Sequence, residues 1–328
     1  MAPYILKRMM YAIGTLFAVA TILFFIFRLM PGDPATTVIN PNMDAAAQAR
    51  LREAFGVDKP LLTQYAIYLK NTVTFEWGRS FNTAQPVSEI IAYRLGNTLL
   101  LMTGGVLIAI VLGLTLGIVL AWRRNSMLDV VGTVSALIFQ SAPPFVTGLL
   151  LLIVFSYTLN LFPTGGMIVA GGGDPGTIDL LTRADFYHHL ALPTAAIAIY
   201  YLATPMLVMR DSMLDVIGAD YVDLARAKGV SPAGVFIRHA ARNALLSIVT
   251  VISILTAFAI GGQVVVETLF SWPGMGQLLV QAASQHDYPV AQGSFLVLAC
   301  IVIFMNLFAD ILYCVIDPRI QVTSGGIA

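Results

Sequence analysis

The chain has 328 residues, 58% hydrophobic and 11% charged, and its 18 Lys and Arg balance 18 Asp and Glu to a net charge of zero. Soluble domains carry roughly 25% charged residues, so this composition, with a mean hydropathy of +0.81, excludes an ordinary soluble chain. Zero net charge with dispersed basic residues also gives a nucleic-acid-binding role no footing.

A helix needs about 20 mainly apolar residues to cross a bilayer. Six stretches qualify: 9–29, 98–121, 130–157, 190–209, 244–266 and 292–316. The expected fold is an all-α polytopic membrane protein with six transmembrane helices. Residues 1–29 hold the N-terminus and the first helix. Lys7 and Arg8 could open a signal peptide, but the apolar run is too long and no Ala-x-Ala-like site precedes Pro31, so the helix is expected to stay as an anchor. Residues 30–97 follow as a small helical extracytoplasmic domain. There Asp44 to Arg52 is Ala-rich, Leu61 to Leu69 shows helical spacing, and Pro31, Pro34, Pro41, Pro60 and Pro86 punctuate the chain. Residues 98–316 carry the remaining helices. The stretch 130–157 is too long for one straight span, and Pro143-Pro144 is expected to break or kink it. Residues 317–328 form a C-terminal tail.

Between the fourth and fifth stretches lies a charged, turn-punctuated loop, 211–242. Its centre reads Asp220-Tyr-Val-Asp-Leu-Ala-Arg-Ala-Lys-Gly-Val-Ser-Pro232, followed by Arg238-His-Ala-Ala-Arg-Asn243. Ala225, Arg226, Ala227 and Lys228 favour a helix, and Gly229 stands where a left-handed cap would end it. Ser231 and Pro232 occupy the N-cap and first-turn positions of a second helix. The expectation is a helix, a bend and another helix, held at both ends by spanning segments.

Orientation follows from the short loops. With the N-terminus inside, the inner segments carry Lys7, Arg8, Arg123, Arg124, Arg210, Arg226, Lys228, Arg238, Arg242 and Arg319, whereas the short outer loops 158–189 and 267–291 contain only Arg183. The bias puts both termini in the cytoplasm, and the loop 211–242 with them.

The loop resembles the "EAA" loop of the membrane subunits of bacterial ATP-binding-cassette importers. That consensus of an acid, two small residues and a Gly maps onto Asp223, Leu224, Ala225 and Gly229, with Leu224 replacing a small residue. Further motifs resemble the dipeptide, oligopeptide and nickel permease branch over residues 5–321. They are Pro31-Gly-Asp-Pro34, Phe55-Gly-Val-Asp-Lys-Pro60, Trp77-Gly-Arg-Ser80, Asn97-Thr98, Phe162-Pro-x-Gly-Gly166, His189-Leu-x-Leu-Pro193, Phe270-Ser-Trp-Pro-Gly-Met-Gly276, Asp287-Tyr-Pro-Val290 and Asp317-Pro-Arg-Ile320. The resemblance implies a multi-pass inner-membrane permease, paired with a second similar permease, two ATPase subunits and an extracytoplasmic binding protein. It implies no cofactor in this chain, with ATP and Mg on the ATPases. Asp223, Arg226 and Lys228 would contact the ATPase, Ala225 would allow close seating, and Gly229 would permit the bend. Ser231, Pro232, Arg238 and Arg242 complete the coupling loop. Peptides are the expected cargo, nickel or another small solute the alternative.

Other residues carry two readings each. Gly113-x-x-x-Gly117 and Gly261-Gly262 allow close helix approach, either within one subunit or at the seam between permeases. Gln140, with Pro143 and Pro144, is a candidate for lining a pathway, because a helix break frees carbonyls that only protein or a wet cavity can satisfy. Glu267 and Asp310 lie toward span ends, as boundary anchors or subunit contacts. Met206, Met209 and Met213 share a helical face, which is more often packing than metal binding. Neither the histidines nor Cys300 and Cys314 assemble a metal or nucleophilic site. There is no Gly-x-x-x-x-Gly-Lys-Ser/Thr loop, His-Glu-x-x-His or Gly-x-Ser-x-Gly, so neither ATP hydrolysis nor other catalysis is expected here. A secondary transporter would need a midplane ion site and repeated halves; neither is evident.

Overall fold

The computed structural model describes residues 2–29, 59–169, 177–245, 248, 255 and 264–316. The expected helix at Asp44 to Arg52, Gly261-Gly262, most of the stretch 244–266 and the tail 317–328 lie outside them. Among the described residues the regular elements are helices.

Helix α1 (Ala2–Leu29) is followed by α2 (Leu61–Thr74), which ends where Phe75 turns left-handed with φ 59. Helix α3 runs from Val87 to Trp122, starting ahead of the expected 98–121 span and inside the expected 30–97 domain. The extra turns are helical because Val87 and Ile91 have somewhere to go: they are buried with Met275, Leu278, Val290 and Ala291. Helix α4 (Met127–Ser141) opens on an N-cap in which Ser126 Oγ accepts from the Asp129 N–H.

The stretch 130–157 is broken as expected. Ala142 is extended, Pro143 precedes a second proline, and α5 (Pro144–Leu151) leaves α4 at 104° before passing into a π-helical turn, Leu152–Thr158. A proline forces the residue before it out of the helical region, and two in succession turn a kink into a corner. A short α6 (Thr177–Thr182) leads to α7 (Ala184–Ile217), which keeps Pro193 and Pro205 inside it. Helix α7 exceeds the expected 190–209 at both ends, and residues 211–217 of the expected loop are its last two turns. They stay helical because Met213 and Ile217 are buried while Asp211 and Asp215 face out.

Then come α8 (Asp220–Ala227), α9 (Pro232–Gly234) running into a π-helical turn at Val235–Ala241, α10 (Val264–Leu269), α11 (Met275–Ser284) and α12 (Tyr288–Ile316). Helices α1, α3, α7 and α12 are long and apolar enough to cross a membrane, and the α4–α5 pair adds a fifth if it counts as one broken span. The chain is a polytopic helical membrane protein.

The core is the α3–α7 pair, the most extensive contact in the molecule. Lipid tails are as apolar as Leu, so helices in a bilayer associate through close packing rather than escape from water. Gly113 and Gly117 permit it: a Cβ on Gly117 would sit 2.5 Å from the Met206 carbonyl oxygen, and one on Gly113 2.8 Å from the Pro205 ring. This pair therefore packs within the subunit. Met206, Met209 and Met213 fill the same seam, fully buried. Helix α1 runs against α12, with Arg8 3.1 Å from Asp310 at one end and Phe27 against Tyr288 and Phe295 at the other. Asp310 is thus paired inside the chain, and the start of α1 lies beside the last turns of α12.

Candidate functional site

The loop after α7 folds as a self-contained hook. The Gly229 N–H donates to the Arg226 carbonyl at 2.9 Å and the Val230 N–H to Ala225 at 3.2 Å, with Gly229 at φ +81. These two bonds make a Schellman cap, which closes α8 and turns the chain. Ser231 Oγ then accepts from the Gly234 N–H at 3.2 Å, and Pro232 takes the first-turn position, opening α9. The helix, bend and helix read from the sequence are all present.

Inside the hook, Val222, Ala225 and Val235 form a buried cluster flanked by Val216 and Val230. Ala225 therefore faces inward, and its small side chain seats α8 on the following turn. The outer face carries Asp223, Leu224, Arg226, Lys228, Ile237, Arg238 and Arg242, all exposed. Arg226 Nη1 lies 2.8 Å from Asp223 Oδ1. Leu224 and Ile237 are 56% and 64% exposed, so apolar side chains stand among the charges.

The hook is built onto the core. Ala240, Ala241 and Ala244 pack with Ala121, Met209, Met213 and Ile217, and the Phe236 ring lies 4.6 Å from that of Trp122. Asp129, buried at the start of α4, takes Arg210 of α7 in a two-pronged ion pair, which joins the 123–126 turn to the root of the loop.

At the other end of α3, six of the motifs meet. Trp272 is fully buried; its indole N–H donates to the Asn97 carbonyl at 3.0 Å, and Asn97 Nδ2 donates to the Pro273 carbonyl at 2.9 Å. The Gly166 N–H donates to the Phe270 carbonyl at 2.9 Å. Phe186 and Leu192 pack in the same cluster. Ser80 donates to Asp287, whose carboxylate also accepts from the Phe81 N–H. A cleft of 420 Å³ opens beside it, with Glu89, Arg94, Gln281 and Gln285 on its walls.

Glu267 lies at the centre of this junction and is fully buried. Its carboxylate accepts from Thr98 Oγ1 at 2.8 Å and from the N–H groups of Gly276 and Gln277 at 2.7 and 3.1 Å. The second and third of those donors are free amides of the first turn of α11, where a negative charge is favoured. Glu267 is a buried helix cap, not a boundary anchor or subunit contact. The nearby Gly274 has no room for a side chain, since its Cβ would fall within 2.5 Å of the carboxylate.

Gln140, half-buried at the end of α4, donates to Thr204 Oγ1 at 2.9 Å, beside the Pro205 position of α7. Pro143 is exposed and Pro144 half-buried at the corner. Sequence reading missed the Asp129–Arg210 pair and the cap made by Glu267. Asp129 had a local signal in Ser126 three residues before it, but its partner is 81 residues away; nothing local marks the partners of Glu267.

Residues 113–322 match the family model described as binding-protein-dependent transport system inner membrane component, and residues 1–102 match that of its N-terminal part. A protein of Brucella suis biovar 1 (strain 1330) whose name includes the words peptide permease is 44% identical over 98% of this chain and 100% of its own length. The oligopeptide transport system permease protein AppB of Bacillus subtilis (strain 168) is 38% identical over 98% of this chain and 100% of its own. The glutathione transport system permease protein GsiC of Salmonella choleraesuis (strain SC-B67) is 36% identical, covering 98% and 99%.

Proposed function

The chain belongs to the family of binding-protein-dependent transport system inner membrane components, and from that premise we propose that it is the permease subunit of an ATP-driven importer of peptides. It is a multi-pass protein of the bacterial inner membrane and a transport component rather than a catalyst. The peptide cargo rests on full-length relatives named for peptides, oligopeptides and glutathione.

The finer assembly is a similar second permease forming the other half of the pathway, two ATPase subunits carrying ATP and Mg, and an extracytoplasmic binding protein that delivers substrate. Six spans with both termini in the cytoplasm complete the topology. The Arg8–Asp310 pair supports placing the two ends of the chain on one side.

The observation that carries the mechanism is the hook 218–242. Its bend is held by its own backbone hydrogen bonds, its outer face mixes bare Leu224 and Ile237 with charge, and its inner face is packed on the α3–α7 core. Helix α3 then runs from Trp122, against the hook, to Asn97, at the motif junction, about 37 Å at 1.5 Å per residue. A closing movement of the ATPases on the hook would be passed along this strut, and exchange between inward- and outward-open states would follow. Gln140 and the Pro143-Pro144 corner would line the pathway at its side.

The test is reconstitution with the partner subunits, comparing wild type with Gly229→Val. Intact assembly with substrate-stimulated ATP hydrolysis and transport both lowered supports the lever. Unchanged transport in the assembled variant would refute it. Uptake of labelled di- and oligopeptides, with nickel as the contrasting cargo, checks the substrate.

A further inference from the structure

We propose that α2 lies in the bilayer interface at the level where α1 ends, with the strip Leu62, Ala66 and Val73 turned to lipid rather than to water. The 14-residue helix is amphipathic at 100° per residue. Tyr65, Tyr68 and Thr72 form one side, and Leu62, Ala66, Leu69 and Val73 form the side next to it. Thr63, Gln64, Ile67, Lys70, Asn71 and Thr74 occupy the remaining arc, in which Gln64 and Asn71 lie opposite Leu62, Ala66 and Val73 while Lys70 flanks them. Among the described residues the first side packs on α1, and Leu69 beside it packs against Ala20, Leu23 and Leu296. Phe24 of α1 meets Tyr65 and Tyr68 at centroid distances of 5.1 and 5.5 Å, and Tyr65 and Thr21 share a hydrogen bond of 2.7 Å between their hydroxyls. The rest of the adjoining apolar side, Leu62, Ala66 and Val73, is bare, with Leu62 82% and Val73 77% exposed.

The occupant follows from where that bare side sits. Helix α1 has the composition of a span from Tyr4 to Arg28 with little of it covered by protein. Arg28 marks the level where a charge reaches the interface. Thr21 stands seven residues further in, about 10 Å at 1.5 Å per residue, and Tyr65 touches α1 there. An interfacial helix sinks its apolar side about 5–10 Å into the headgroup and acyl boundary. The bare strip also continues an exposed apolar surface of the spanning helix: Ile22, Phe25 and Ile26 of α1 are exposed, and Phe25 stacks on Tyr65 at 6.2 Å. Gln64 and Asn71, on the far side of α2 from that strip, would lie toward water. Helix α2 would then brace α1 against lateral movement.

The test uses the full chain, lacking its native cysteines, co-purified with its accompanying subunits and reconstituted in phosphatidylethanolamine and phosphatidylglycerol vesicles. Single cysteines at Leu62, Val73, Gln64 and Asn71 carry a nitroxide label, and collision with oxygen is compared with collision with a water-soluble nickel chelate. Labels at Leu62 and Val73 should favour oxygen severalfold relative to those at Gln64 and Asn71. Chelate access at Leu62 and Val73 equal to that at Asn71 would overturn the proposal by showing a solvated helix. Shielding from both agents would overturn it too, by showing a protein partner on the strip. The two lipid-side positions are independent and highly exposed, so poor folding of one variant leaves the other decisive.

Discussion

Asp129 on α4 and Arg210 on α7 hold each other by two parallel bonds, Nε to Oδ1 at 2.6 Å and Nη2 to Oδ2 at 2.9 Å. The Asp129 side chain is 4% exposed and that of Arg210 22%. The pair pins the turn after α3 to the last turns of α7, from which the hook departs. Transport subunits must pass force between such elements, and a bidentate pair fixes direction as well as distance.

Asp129→Ala should therefore destabilise the subunit by about 3–5 kcal/mol, the range for removing one partner of a buried pair. Arg210 would keep only Asp211, whose side chain is 68% exposed. The double change Asp129→Leu with Arg210→Met should recover most of the loss, because no charge is then left buried. Thermal unfolding of the purified subunit checks both; a double variant as unstable as the single one would contradict the account.

Glu267→Ala should be at least as damaging, since it strands Thr98 and two helix-start amides at about 1–3 kcal/mol for each unsatisfied group. Glu267→Gln should be far milder, as its amide oxygen can still take both N–H groups and its amide nitrogen can donate to Thr98. Yield and melting temperature should rank wild type, Gln, then Ala.

Nothing lies within 4 Å of a Cβ built on Gly229, so substitution there strains only the backbone. Gly229→Ala should cost about 1–2 kcal/mol of local stability, and Gly229→Asn, which tolerates the left-handed region, should cost less. Coupled ATPase activity in the assembled complex should follow that order. Asn performing worse than Ala would mean that side-chain bulk, not the bend, is what matters.

Leu224→Asp combined with Ile237→Asp should leave the melting temperature of the isolated subunit nearly unchanged, because surface changes usually stay within about 0.5 kcal/mol. The same variant should lose its ATPase subunits on affinity purification. Retention at the wild-type level would place the contact elsewhere on the hook.

The loop was legible because each of its signals is local. Gly229 answers a backbone requirement within five residues, and Ser231-Pro232 does the same for the next helix. The break at Pro143-Pro144 is of the same kind. Span ends were less legible: hydropathy marks where a helix can leave lipid, whereas α3 stops at Val87 and α7 at Ile217 because protein covers the extra turns. What Ala225 seats against was not legible for a related reason, since its partner within the hook, Val235, lies in the following turn.

Composition, apolar run lengths and capping residues sufficed to establish a helical membrane protein with a structured hook after α7. These properties depend on the chain's exchange with lipid, water and its nearest neighbours. What Glu267 caps, which carboxylate Arg210 holds, how Gly113 and Gly117 are used and where six motifs meet were settled only by the tertiary structure. Each needs a partner between 9 and 207 residues away, and no local preference of a residue encodes which distant group will satisfy it.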